Sequence, residues 1–145
     1  MKSVPCKCVE TLEITGHGNS WKDSAIMDVG STNSSSKDKW SGKAAFGVKD
    51  KSWFGGTFGY EWESFGIDAM FKGIDFCESC TIILRGCSTG KTVAGKAMYA
   101  AIATKTGCKV QGFDEPVYAG KDNGLPGKKD SPYTPNVTVE SPASE

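Results

Sequence analysis

Residues 81–113 constrain the fold more than any other part of the chain. Residues 81–85 (TIILR) form a short apolar run, which predicts a strand buried on both faces of a parallel sheet. Gly86-Cys87-Ser88-Thr89-Gly90 follows as a tight turn. Residues 91–106 then predict a helix with an apolar stripe of Val93, Ala94, Ala97, Met98, Ala101 and Ile102. Ser88 or Thr89 can cap its start and Gly107 can end it. Residues 108–113 (CKVQGF) predict a second strand. Strand, turn, helix and strand in this order imply an α/β fold with a mostly parallel sheet and right-handed crossovers.

The rest of the chain is read around that unit. Residues 9–15 (VETLEIT) alternate, with Val9, Leu12 and Ile14 apolar, and predict another strand. Gly16-His17-Gly18-Asn19-Ser20 reads as a turn, and residues 25–29 as a short strand. Residues 30–39 read as an exposed loop. Residues 40–60, with Trp40, Phe46, Trp53, Phe54, Phe58 and Tyr60, predict one or two hairpin strands whose aromatic rings pack a core. Residues 64–72 predict a helix with Phe65, Ala69 and Phe71 facing inward. The expected organisation is one domain over residues 1–120 and an irregular, Pro/Gly-rich tail over 121–145.

Composition removes several function classes. Lys+Arg and Asp+Glu are 17 each, so the net charge is zero, which argues against a nucleic-acid partner held by bulk charge. No apolar run approaches the roughly 18 residues that predict a membrane span. Residues 1–9 lack the apolar core of an ordinary secretory signal. The cellular location stays open on these grounds.

Two residues carry the chemistry. His17, the only histidine, follows a predicted strand and lies between two glycines. Cys87 follows the most apolar predicted strand and precedes a helix. Ligand sites in open α/β sheets gather beyond the carboxyl ends of the strands, so parallel neighbours would bring this pair to one rim. A thiol near a helix start is acidified, and an imidazole beside it can take its proton. The N–H groups of Gly18 and Cys87 can then stabilise the oxyanion of a tetrahedral intermediate.

With those residues in view, LEITGHG followed by TIILRGCSTG resembles the caspase–hemoglobinase (clan CD) cysteine peptidases. The stretch GCSTGKTVAGKAMYAAIATKTGCKVQG also resembles caspase-like domains of bacterial secreted and polymorphic toxins. The likeness spans residues 9–112 but rests on the two ends; residues 21–74 match no pattern of the family. The resemblance implies a caspase-like three-layer sandwich and a cysteine endopeptidase with His17 as general base and Cys87 as nucleophile. It further implies no metal in catalysis and a basic or acidic P1 preference. A bacterial toxin or effector would be secreted or delivered into a target cell and would be matched by a cognate immunity or inhibitor protein. Asp114 and Glu115, after the strand that follows the helix, are candidates for contacting substrate, and Asp23 and Asp28 are candidates of equal standing.

Two further patterns compete. Residues 86–92 (GCSTGKT) are similar to a P-loop, but Arg85 stands where the pattern needs its first glycine, and Gly86 comes one residue too late to close the phosphate cradle. A non-catalytic interaction module on the same scaffold is the other alternative. Finally, Cys6, Cys8, Cys77 and Cys80 would gather at the opposite pole if their strands pair in parallel. There they can hold a structural zinc, form one or two disulfides, or remain as thiols. Cys108 is the cysteine left over.

Overall fold

The structure, a computed structural model, describes residues 8–28, 45–52, 59–86, 88–114 and 135–140. The chain is mixed α/β, and its described residues form two four-stranded sheets, one of them partly parallel, with few helices. The strands are β1 (Val9–Thr15), β2 (His17–Ser20), β3 (Ser24–Asp28), β4 (Ala45–Asp50), β5 (Trp62–Phe65), β6 (Phe76–Arg85), β7 (Lys109–Gly112) and β8 (Val137–Val139). The helices are α1 (Ile67–Phe71) and α2 (Val93–Thr106). Among the described residues no helix is long and apolar enough to cross a membrane.

The first sheet has the order β1-β6-β7-β8. β1 runs parallel to β6 with Thr15 opposite Arg85, and β6 runs parallel to β7. β8 closes the sheet antiparallel to β7. The second sheet, β2-β3-β4-β5, is antiparallel throughout. α2 packs against β7 and β8 of the first sheet and β3 and β4 of the second. The core fills the space between: Ile82, Leu84 and Val110 from the first sheet, Met27, Phe46 and Val48 from the second, and Met98, Tyr99 and Ile102 from the helix.

Several expectations are corrected by that packing. β6 is buried on one face only: Ile82 and Leu84 are fully covered, while Thr81, Ile83 and Arg85 are half-buried on a polar outer face. Parallel pairing therefore coexists here with the alternation of a one-sided sheet. α2 begins at Val93, not at residue 91, because Thr92 is the cap; its side chain accepts a hydrogen bond from the Gly95 N–H at 3.1 Å. Gly107 ends it as expected, in the left-handed region at φ 79°, with its N–H on the Ala103 carbonyl at 2.7 Å. Val93 is 56 % exposed, whereas Gly95, Tyr99 and Ala103 are buried. A helix covered from two sides buries more than a single stripe.

Elsewhere, residues 64–72 split into the end of β5 and the short α1, with Ile67 and Phe71 buried and Ala69 exposed. Residues 17–20, read as a turn, form β2. The tail contributes β8, whose Val137 is buried against the core. Trp40, Trp53, Phe54 and Phe58 lie outside the described residues.

The amino ends of β1 and β7 are cross-linked to β6. Cys8, just before β1, is bonded to Cys77 in β6, and Cys80 in β6 to Cys108 just before β7; each pair has its Cα atoms 4.8 Å apart. Of the alternatives open for these cysteines, this is the disulfide one, with Cys108 as an unforeseen partner. Sulfurs so paired are not thiolate donors. Among the described residues no group of three or more His, Cys, Asp or Glu is placed to hold a metal ion. Cys6 lies outside the described residues.

Candidate functional site

The opposite, carboxyl-end rim of the parallel strands carries His17 and the turn after β6. Gly16 donates its N–H to the Arg85 carbonyl at 3.3 Å, extending the β1–β6 ladder to the residue before His17. One residue past His17, the chains nearly touch. A Cβ placed on Gly86 would sit 3.3 Å from the Gly18 Cα, and one placed on Gly18 would collide with the Thr89 methyl. Glycine at 18 and 86 is what permits this approach.

The turn itself is tied down. Ser20 donates its hydroxyl to the Ser88 carbonyl at 2.6 Å, and the Lys91 N–H reaches the same oxygen at 3.2 Å. Ser88 has φ 51°, in the left-handed region that a non-glycine residue seldom occupies. Strain of this kind concentrates at sites where backbone direction matters. Thr89 is wholly buried and shares a 2.6 Å hydrogen bond with the Tyr99 hydroxyl, which also accepts the Phe113 N–H at 3.2 Å. The Gly90 N–H donates to the Phe113 carbonyl at 2.8 Å. β7 and α2 thus hold the turn from two sides.

Burial pushes the Tyr99 phenol up, from 10.0 to about 12. Because the folded value is raised, this residue's contribution is complete below pH 10 and is lost as pH rises from about 10 to about 12. Two units correspond to about 3 kcal/mol. Tyr99→Phe is expected to cost about 2 kcal/mol at neutral pH by leaving the Thr89 hydroxyl and the Phe113 N–H without a partner. Urea melts should also show a smaller alkaline loss of stability in Tyr99→Phe than in the native chain. Equal losses over the alkaline range would contradict this assignment.

His17 opens β2 as an exposed residue. The β2–β3 register sets it opposite Asp28, and Asn19 opposite Ile26. Side chains alternate along a strand, so these four share one face, while Gly18 and Ser20 face Met27 and the turn. The shared face lines a pocket of about 210 Å³, completed by Gly18 and Trp21. The imidazole therefore lies on the open side of β2, and Gly18 approaches Gly86 on the other side of the same strand.

The other expected site residues divide. Asp114 is fixed to Asn136: its carboxylate accepts the Asn136 amide at 2.8 Å and its N–H reaches the Asn136 side-chain oxygen at 3.1 Å. That clamp joins the end of β7 to the entry of β8. Asp23 lies in the β2–β3 turn, where its carbonyl accepts the Asp50 N–H at 2.8 Å. Cys87 and Glu115 lie outside the described residues. Sequence reasoning missed Ser20, Thr89 and Tyr99. Only Tyr99 carried a usable signal, since a tyrosine on a buried helix face needs a partner for its hydroxyl.

Comparison with protein-family models, with curated proteins and with solved structures finds no match for this chain.

Proposed function

We propose that this chain is a cysteine endopeptidase of caspase-like type, its central sheet forming part of a three-layer sandwich. His17 is the general base and Cys87 the nucleophile. The observation that carries the reading is the parallel β1–β6 pairing with Thr15 opposite Arg85, which leads Gly18 onto Gly86, the residue before Cys87. In the reaction the Cys87 sulfur attacks the scissile carbonyl carbon while His17 takes the thiol proton. The N–H groups of Gly18 and Cys87 receive the oxyanion. As the C–N bond breaks, His17 returns the proton to the leaving amine. Water, deprotonated by His17, then hydrolyses the thioester and restores the thiol.

Thiol activation in this scheme leans on His17 more than on the helix. α2 starts at Val93, and a helix dipole acts mainly within its first turn. The fixed turn supplies the pre-organisation that an oxyanion site requires, through Ser20–Ser88 and Thr89–Tyr99–Phe113.

The same turn weighs against a phosphate cradle. The N–H groups of Gly90 and Lys91 are committed to the carbonyls of Phe113 and Ser88, and the Thr92 hydroxyl caps α2. A P-loop needs such donors aimed at its ligand. Two disulfides in so short a chain further support a working place in an oxidising compartment, which fits a secreted or delivered protein.

The test is incubation of the purified chain with a mixed-peptide library and mapping of the cut sites by mass spectrometry. Cys87→Ala serves as the parallel control. Discrete cleavage confined to the native chain is expected; equal cleavage by both proteins would reject the reading.

A further inference from the structure

The strand that carries His17 also grips the turn that carries Cys87, and the functional meaning of that grip rests on the peptidase reading. Two residues of β2 meet the turn, and they lie two positions apart in both segments. A Cβ on Gly86 would sit 3.3 Å from the Gly18 Cα, and the Ser20 hydroxyl donates to the Ser88 carbonyl at 2.6 Å. Strand alternation puts Gly18 and Ser20 on the same side of β2. The residue between Gly86 and Ser88 in the chain is Cys87. Contacts to both of its neighbours therefore bracket the proposed nucleophile.

The Ser20 hydroxyl is placed at a cost. Among the described residues the buried serine and threonine are Ser20, 8 % exposed, and Thr89, and both are bonded at this turn. Ser88 keeps φ 51°, a conformation that a non-glycine residue holds only where its surroundings impose it. Two donors meet at its carbonyl, the Ser20 hydroxyl and the Lys91 N–H. The Lys91 bond is local to the turn, whereas the Ser20 bond crosses 68 residues of chain.

We propose that Ser20 is a positioning residue: its bond to the Ser88 carbonyl holds residue 88 left-handed and so fixes the peptide after Cys87 relative to β2 and His17. Without the hydroxyl, residue 88 relaxes toward the right-handed region that L side chains prefer. Rotation about its φ swings the whole planar 87–88 peptide. Thr89 and Tyr99 hold the turn to its own helix and to β7; Ser20 sets it against β2.

The experiment is iodoacetamide labelling of Cys87 in the full chain at about pH 6.5 and about pH 9.5, with cleavage kinetics on a library peptide beside it. An ordinary thiol is largely ionised at the higher pH, so the ratio of the two rates reports activation and not access. Ser20→Ala should lower the rate at about pH 6.5 about fivefold and leave the rate at about pH 9.5 unchanged. It should also lower kcat at least tenfold with KM unchanged. Adding Ser88→Gly to Ser20→Ala should restore both readouts, because glycine takes the left-handed conformation readily. A hydroxyl that merely stabilised the fold would not be replaced by a glycine elsewhere. An unchanged rate ratio in Ser20→Ala, or a loss that Ser88→Gly does not restore, would overturn the positioning role. The readouts also separate the two proposals. A ratio that falls with Ser20→Ala and returns with Ser88→Gly, in a chain that cuts no peptide, keeps the positioning role and removes the peptidase. Cleavage that Ser20→Ala leaves intact keeps the peptidase and removes the positioning role.

Discussion

Cys87→Ala is expected to lower peptide cleavage by three orders of magnitude or more, to the background of the assay. His17→Ala should fall about as far, because a nucleophile without its base and a base without its nucleophile both fail at the same step. The two losses should not add: the double variant should be no slower than the worse single one, since residues that act as a unit are removed together by either change. Stability should separate this from misfolding. His17 is exposed, so its replacement by alanine should shift unfolding by no more than about 0.5 kcal/mol. A His17→Ala protein that is fully active, or a double variant whose loss is the product of the single ones, would show that the pair does not work together.

The second large effect belongs to the other pole. Cys8–Cys77 closes a loop of 69 residues and Cys80–Cys108 one of 28. The loops follow each other without overlap, so in the chain-entropy view their contributions are separate, at about 4 kcal/mol each. Small domains hold only about 5–15 kcal/mol in total. Cys8→Ser with Cys77→Ser should therefore lower the midpoint of urea unfolding markedly. Removing both bridges should leave the chain largely unfolded at about 37 °C. The pairs fasten β1 and β7 to β6, the strands that carry the rim with His17 and Gly86, so reduction should abolish any activity together with the fold. Unchanged unfolding midpoints after reduction with dithiothreitol, with alkylation confirming four new thiols, would contradict this.

The part of the fold that the sequence made legible is the part governed by period and punctuation. The run at 81–85, the glycine-rich turn, the helix and the strand at 109–112 appear in order, and the strand before His17 pairs in parallel beside them. What escaped was set by tertiary contact. β2, His-Gly-Asn-Ser, has no apolar pattern and becomes a strand only because β3 offers a ladder. β8 is three residues long in a stretch rich in proline and glycine, and it is fixed by β7 and by the Asp114–Asn136 clamp. The Cys80–Cys108 bond depends on β7 starting beside the middle of β6, with Lys109 opposite Thr81, which spacing alone does not encode. At the site, the rim was readable from strand ends. The face was not: which side of β2 carries His17 follows from its register with β3, and so does its companionship with Asp28.

The claim at the centre is that the His17 imidazole activates the Cys87 sulfur. Cys6 and Cys87 both lie outside the described residues, and Cys6 is the reference position against which labelling at Cys87 is read. The direct measurement is the rate of iodoacetamide labelling at about pH 6.5, where an unperturbed thiol is almost wholly protonated, read separately at Cys6 and Cys87 by peptide mass mapping. In the native chain Cys87 should label at least tenfold faster than Cys6, and His17→Ala should bring the two rates together. Equal rates at both cysteines in the native chain, unmoved by His17→Ala, would contradict the account.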